Sequence, residues 1–380
     1  MVEALYRGFA GAGHEAEIWC TDLASFEGPR HEAGAATVNG MSVRRFRTKC
    51  CRLYLFDPHH LVWRGLGRAL REETGPETLF HVNSFPSYQA LAALKAVKAG
   101  APVVITPHHD IESLGRYLRL WRARRVMRGL LSAARAFPRL NLAVHTRATK
   151  RFWVEEIGWP EEQIRIIPNG VYPDEFDKIS AEETGAAAAG WPRGEVRVLF
   201  VGRLARAKGV DILLRALART RGASLLIIGP DAGEGENLRK LAQELKIEER
   251  VNFLAPPPRR QVCAAFRACD LFVLPSRFGE NFGIAAIEAM AARKPVIVSD
   301  SGGLPSLVRA EENGLIFSSE SVEGLTEALN YLAGAASPRQ SYGEAGRRMM
   351  ESAYTWERVV KEYLALFTAA LSAGKSRAGS

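Results

Sequence analysis

Short apolar runs of four to six residues alternate with helix-length amphipathic stretches along nearly the whole chain. That rhythm limits the fold more than any other feature of the sequence. Strands covered on both faces read as continuous apolar runs, and parallel neighbours need a crossover, usually a helix. In the first part, residues 15–19 (EAEIW), 43–46 (VRRF), 79–82 (LFHV), 103–106 (VVIT), 142–144 (LAV) and 164–167 (IRII) read as strands. Residues 88–99 and 118–134 read as helices. Residues 181–195 are small, polar and marked by Gly and Pro, which predicts a linker. The alternation then restarts. Strands are predicted at 196–201, 224–228, 251–254, 271–274 and 295–299, and helices at 210–219, 237–245, 260–268, 284–291 and 322–332. The pattern predicts an α/β protein of two doubly wound domains facing across a cleft. Domain one spans 1–180 and domain two 196–352, followed by a helix over 353–373 and a disordered tail over 374–380. Ligands in such folds bind at the carboxyl ends of the strands.

Composition fits this plan. The chain has 380 residues, of which 47% are apolar and 24% charged. That mixture excludes a disordered or coiled-coil protein. No apolar run reaches the ~18–20 residues needed to cross a bilayer. Glu3, Arg7, His14, Glu15 and Glu17 interrupt the first segment, so it does not read as a signal peptide, and the expected compartment is the cytoplasm. Cys20, Cys50, Cys51, Cys263 and Cys269 have no C-x-x-C spacing. They read as reduced thiols, although neighbouring Cys50 and Cys51 leave a vicinal disulfide open. No Cys/His set has zinc spacing, so no metal is expected.

The net charge is +9. One basic run holds Arg44, Arg45, Arg47, Lys49 and Arg52. Another holds Arg116, Arg119, Arg122, Arg124, Arg125, Arg128, Arg135 and Arg139. Tyr117, Leu120, Trp121, Met127 and Leu131 are interleaved with the second run. It reads either as a solvated helix face or as a peripheral contact with anionic membrane. Nucleic acid is not expected, because the aromatics do not form a base-stacking series.

Two segments carry chemistry. Gly202-Arg203-Leu204-Ala205-Arg206-Ala207-Lys208-Gly209 follows a predicted strand and opens a helix. Helix N-termini offer free N–H groups to anions, and Gly202 permits close backbone approach. Arg203 and Lys208 either clamp a diphosphate there or stand as solvated cations beside a turn. The second segment runs from Pro275 to Ala291 and holds Glu280 in a loop and Glu288 within IAAIEAMAA. A carboxylate among Ala, Ile and Met is costly unless it has partners. Those partners are either a pair of sugar hydroxyls or an arginine. The amides of Asn281, Phe282, Gly283 and Ile284 lie at the helix start, suited to sugar or phosphate oxygens.

Together the segments resemble the GT-B glycosyltransferases, in particular the retaining family 4 enzymes. Their E-x7-E hallmark corresponds to Glu280 and Glu288. The likeness extends to GRLARAKG, IPNGV, LFVLPS, PVIVSDSGGLP and YTWERV. It implies two Rossmann-like domains with the C-terminal helix crossing back to the first. It also implies transfer of a sugar from a nucleoside-diphosphate sugar to a hydroxyl acceptor, a glycan or a lipid-linked one, as in cell-envelope polysaccharide synthesis, without metal or other cofactor. Arg203 and Lys208 would hold the diphosphate, Glu288 the ribose and Glu280 the transferred sugar. Gly202 and the Asn281–Ile284 amides would complete the donor site. His108, in VVITPHHD, would face the donor sugar, with His109 as the alternative one position on.

The sequence departs from the family at its start. Members open with a strand and a glycine-rich loop, whereas this chain begins in the predicted helix over 2–12. The expectation is that Met1 is an internal methionine and that one strand is missing, which puts the activity of this chain in doubt. An inactive, glycosyltransferase-like binding subunit is the alternative reading, and a phosphorylase or sugar-nucleotide epimerase a third.

Overall fold

The computed structural model describes residues 2–21, 31–50, 61–75, 77–83, 88–108, 131–132, 135–137, 139–192 and 194–372. The chain forms two units, residues 1–168 with 356–380, and residues 169–355.

In the first unit the elements run α1 (Val2–Gly11), β1 (Ile18–Thr21), β2 (Gly34–Val38), β3 (Met41–Phe46), β4 (Thr48–Cys50), β5 (Leu61–Trp63), α2 (Leu66–Glu72), β6 (Phe80–Val82), α3 (Tyr88–Lys98), β7 (Val103–Ile105), β8 (Leu140–Val144), α4 (Arg147–Glu155) and β9 (Ile164–Ile166). Strands β6-β7-β8-β9 form a parallel sheet, β1-β3-β2 a mixed one, and β4-β5 an antiparallel pair. The alternation of side chains along a strand decides the layers. Val103, Ile105, Leu142 and Val144 face one core with Ala93, Ala96, Trp153 and Trp159. Val104 and Ala143 face the other, with Leu5, Ile167 and Val359, Val360 and Tyr363 of the C-terminal helix (Trp356–Ser372). That helix therefore completes the first unit. Trp19 and Phe80 meet at 5.8 Å where β1 and β6 end their respective sheets.

The second unit runs α5 (Asp174–Asp177), α6 (Ala181–Ala189), β10 (Val196–Val201), α7 (Val210–Ala218), β11 (Ala223–Ile228), α8 (Gly235–Glu244), β12 (Val251–Leu254), α9 (Arg259–Ala268), β13 (Leu271–Leu274), α10 (Ile284–Ala291), β14 (Val296–Ser299), β15 (Gly314–Phe317), α11 (Val322–Gly334) and α12 (Ala336–Ala353). One parallel sheet has the order β12-β11-β10-β13-β14-β15. All six residues of β11 and all four of β13 are buried, as strands covered on both faces require. The strand order reverses direction between β10 and β13, and that crevice is the ligand position in doubly wound folds.

Two expectations are corrected. The first unit ends at Pro168, not at 180. Residues from 169 onward are tied to the second unit by Val171 N–H donating to Tyr354 O, by Phe176 against Phe266 and by Arg347 on Asp177. The predicted linker 181–195 contains helix α6, started by a reciprocal cap between Ser180 and Glu183. Trp191, after that helix, is buried and donates to Val198 O. Strands β2, β4, β5 and β15 and helices α2, α4, α5 and α12 were not predicted. Cys20, Cys263 and Cys269 are free thiols, and burial pushes the Cys269 thiol up to about 12. Cys51, His109, most of the predicted helix over 118–134, most of the second arginine run and the tail 374–380 lie outside the described residues. Among the described residues no helix is long and apolar enough to cross a membrane.

Candidate active site

In the second unit the loops after β10, β13 and β14 converge on Glu280. Its Oε2 accepts from Lys208 Nζ at 2.5 Å and from Ser276 Oγ at 2.9 Å. Its carbonyl oxygen accepts from Gly303 N–H at 2.8 Å. The backbone permits this only through glycines. Gly209 has φ +64°, and a Cβ there would collide with the Pro275 carbonyl. Gly302 has φ +56°, and a Cβ there would collide with the Glu280 carbonyl. Arg277 N–H donates to Ala207 O at 2.9 Å, which fixes the first two loops to each other.

A second ion pair supports the arrangement. Arg277 forks onto both oxygens of Asp211, in the first turn of α7, at 2.5 and 2.6 Å. Burial works to raise the Asp211 pKa, but the hydrogen bonds and charge of Arg277 outweigh it and hold the carboxyl below its ordinary value. Arg203 lies exposed in the loop after β10. Gly202 N–H donates to Ile228 O, and the Gly202 carbonyl packs where Gly229 would otherwise carry a Cβ.

Helix α10 begins at Gly283, whose φ of +93° places it in the left-handed region. Ile284 is exposed, whereas the Phe282 side chain is core, edge-on to Tyr354 at 5.7 Å. Any role of Phe282 toward a ligand thus belongs to its backbone. Two turns along, Glu288 is nearly buried, and its Oε1 accepts from Arg259 Nη1 at 2.5 Å. Arg259 also reaches Glu175 at 2.8 Å. Burial raises the Glu288 pKa, and the Arg259 charge works against that rise. The arginine partner left open by the sequence is therefore present. A carboxylate has about four acceptor positions, so this pairing leaves room for hydroxyl donors.

In the first unit His108 follows β7 with its ring exposed. Its Nδ1 lies 3.4 Å from Nε2 of buried His145, whose Nδ1 contacts Ile167 O at 3.0 Å. Nearby, His81 Nε2 is 2.8 Å from Thr106 Oγ1, which is 3.0 Å from the Tyr363 hydroxyl. Burial, with the neighbouring histidine charges, pushes His81 down to about 3, and burial pushes His145 down to about 4.

Lys208, Glu280 and the start of α10 are thus brought together, with Glu288 farther along that helix. His108 stands in the other unit. The sequence reading missed Ser276, Arg259, the Asp211–Arg277 pair, His81 and His145. Ser276 was legible as the hydroxyl four residues before Glu280. The others are joined by contacts between segments far apart in sequence. Among the described residues no group of three or more His, Cys, Asp or Glu side chains is placed to hold a metal.

Residues 182–349 match the model for glycosyl transferases group 1, and residues 1–175 match that for glycosyltransferase family 4. The D-inositol 3-phosphate glycosyltransferase of Mycobacterium tuberculosis is 33% identical over 241 residues, covering 61% of this chain and 49% of that protein. The chain spans about half the length of such curated relatives. Among solved structures, HepE from Anabaena, in complex with UDP and glucose, aligns at a TM-score of 0.71 and 20% identity, over 87% of this chain and 86% of that one. Sucrose-phosphate synthase from Thermosynechococcus elongatus aligns at 0.73 and 21%, over 98% and 93%. With a glycosyltransferase model matched on each half and this fold shared, the chain belongs to the GT-B glycosyltransferases.

Proposed function

We propose that the protein is a retaining glycosyltransferase that moves a sugar from a nucleoside-diphosphate sugar to a hydroxyl acceptor. The observation that carries this is the group formed by Lys208, Glu280 and Ser276 at the carboxyl ends of β10 and β13, beside the start of α10. Lys208 and Arg203 are assigned to the donor diphosphate and Glu288 to the ribose hydroxyls. Glu280 and the amides of Asn281, Phe282, Gly283 and Ile284 are assigned to the transferred sugar and adjacent phosphate. The ammonium of Lys208 has three donors, so it can serve a phosphate while still holding Glu280. As the bond from the anomeric carbon to the diphosphate breaks, charge grows on the leaving phosphate. Cations already fixed there stabilise the transition state more than the ground state. The acceptor hydroxyl attacks from the face that the diphosphate leaves, which retains configuration. His108 is assigned to the donor sugar. The UDP and glucose bound to HepE favour a uridine donor, and the curated relatives favour a polyol or sugar hydroxyl as acceptor. Work at the cytoplasmic face of a membrane, through the arginines between 116 and 139, is part of the proposal. Co-sedimentation with vesicles that ignores anionic lipid would remove that part.

The test is thermal unfolding with UDP, GDP, ADP and their sugars. Ligand at ~100 times its dissociation constant adds about 2.7 kcal/mol of stability. One base should raise Tm. If none does in a folded sample, the donor assignment fails.

A further inference from the structure

We infer that His145 is a positioning residue for His108, fixing its tautomer so that Nε2 presents a lone pair to a hydroxyl of the donor sugar. The inference rests on the assignment of His108 to that sugar and adds a residue and a proton arrangement to it.

The argument follows hydrogen by hydrogen. A carbonyl oxygen only accepts, so the contact of His145 Nδ1 with Ile167 O at 3.0 Å places the proton on Nδ1. In a neutral ring the other nitrogen then holds a lone pair. His145 is 3% exposed, and burial holds it neutral at ordinary pH, with its pKa down at about 4. Nε2 of His145 is therefore an acceptor. It faces Nδ1 of His108 at 3.4 Å, so that nitrogen must carry the proton of neutral His108. The lone pair of His108 is left on Nε2. A free histidine side chain prefers the opposite tautomer, with the proton on Nε2. The strand end thus works as a relay of fixed polarity, from the Ile167 carbonyl through His145 to His108. The two rings are 5.3 Å apart and tilted by 33°, which also limits rotation of the exposed ring.

A hydroxyl-facing Nε2 that accepts rather than donates selects a sugar hydroxyl able to give its proton. Losing a partner that orients a histidine through its other ring nitrogen typically costs about 10–100-fold in function, as at the histidines of metal sites. The experiment uses the full chain labelled with 15N-histidine at pH 8, read by two-bond nitrogen–proton correlations. His108→Gln identifies the signal. The wild type should show His108 with the proton on Nδ1. His145→Phe should move it to Nε2, while His145→Gln, which can place an amide oxygen near the lost Nε2, should restore Nδ1–H. A wild-type His108 with the proton on Nε2 overturns the inference, and needs no variant to fold. With the nucleotide sugar identified by thermal shift, His145→Phe should lower kcat about 10–100-fold with KM for the donor within about twofold. His145→Gln should recover most of that loss, and an unchanged kcat in His145→Phe also overturns the inference. Failure of the donor assignment shows as the absence of any nucleotide shift, whereas the tautomer result is read in the protein alone.

Discussion

Arg203 and Lys208 sit five residues apart in one loop, yet their surroundings differ. Lys208 is already ion-paired, its side chain 20% exposed beside a Glu280 side chain at 12%. Arg203 is exposed in the loop after β10. A charge already neutralised contributes less to a developing phosphate anion than one that meets it directly. Arg203→Ala should therefore lower turnover by an amount equivalent to about 2–4 kcal/mol while leaving Tm within about a degree. Steady-state kinetics with the identified donor checks it, and a loss under threefold would refute the role. Lys208→Ala should lower activity and also Tm, because it leaves the Glu280 carboxylate largely desolvated without its counter-charge.

Among the elements, what was legible from sequence depends on how each face is built. The β13 strand and α10 helix read directly, because LFVL and IAAIEAMAA are apolar wherever they are buried. Helix α12 did not, because part of its packed face is glycine and arginine. Gly343 lies against the Arg293 carbonyl, and buried Arg347 donates to Ala291 O and Asp177. Hydropathy periodicity carries no trace of such a face. The β2–β3 hairpin was legible and passed over: Asn39-Gly40, both with positive φ, joins its strands. The candidate site followed the same rule. Glu280 and Glu288 are close in sequence and were found together, whereas Arg259 and His145 acquire their meaning only from partners brought by other elements. Helix contact also gives a prediction. In the first unit a Cβ on Gly8 would strike the Val360 side chain of the C-terminal helix. Alanine improves helix propensity by about 1 kcal/mol, but overpacking costs about 1–3 kcal/mol. Gly8→Ala should lower stability in the wild type and be neutral or stabilising with Val360→Ala, measured by a double-mutant cycle in urea. An equal effect in both backgrounds would refute the contact.

For the molecule as a whole, the buried histidines couple folding to acidity. His145 and His81 are neutral in the folded chain, with pKa values pushed to about 4 and about 3, against 6.5 when exposed. Between those values and 6.5 the unfolded chain binds protons that the folded chain refuses. Stability therefore rises with pH through that window and is lost as pH falls from about 6.5 toward 4. Carboxylates held low by arginine partners, such as Asp211, act in the same direction at lower pH. Above about pH 7 the histidine contribution is flat. The denaturant midpoint should consequently fall between pH 7.5 and pH 5, by an amount on the order of 1–3 kcal/mol after conversion with a constant m. His145→Gln has no ring to protonate, so its midpoint should be lower at pH 7.5 but should fall less on acidification. A wild-type midpoint that stays level across this range, or a His145→Gln profile parallel to it, would mean that the ring takes up its proton in the folded state.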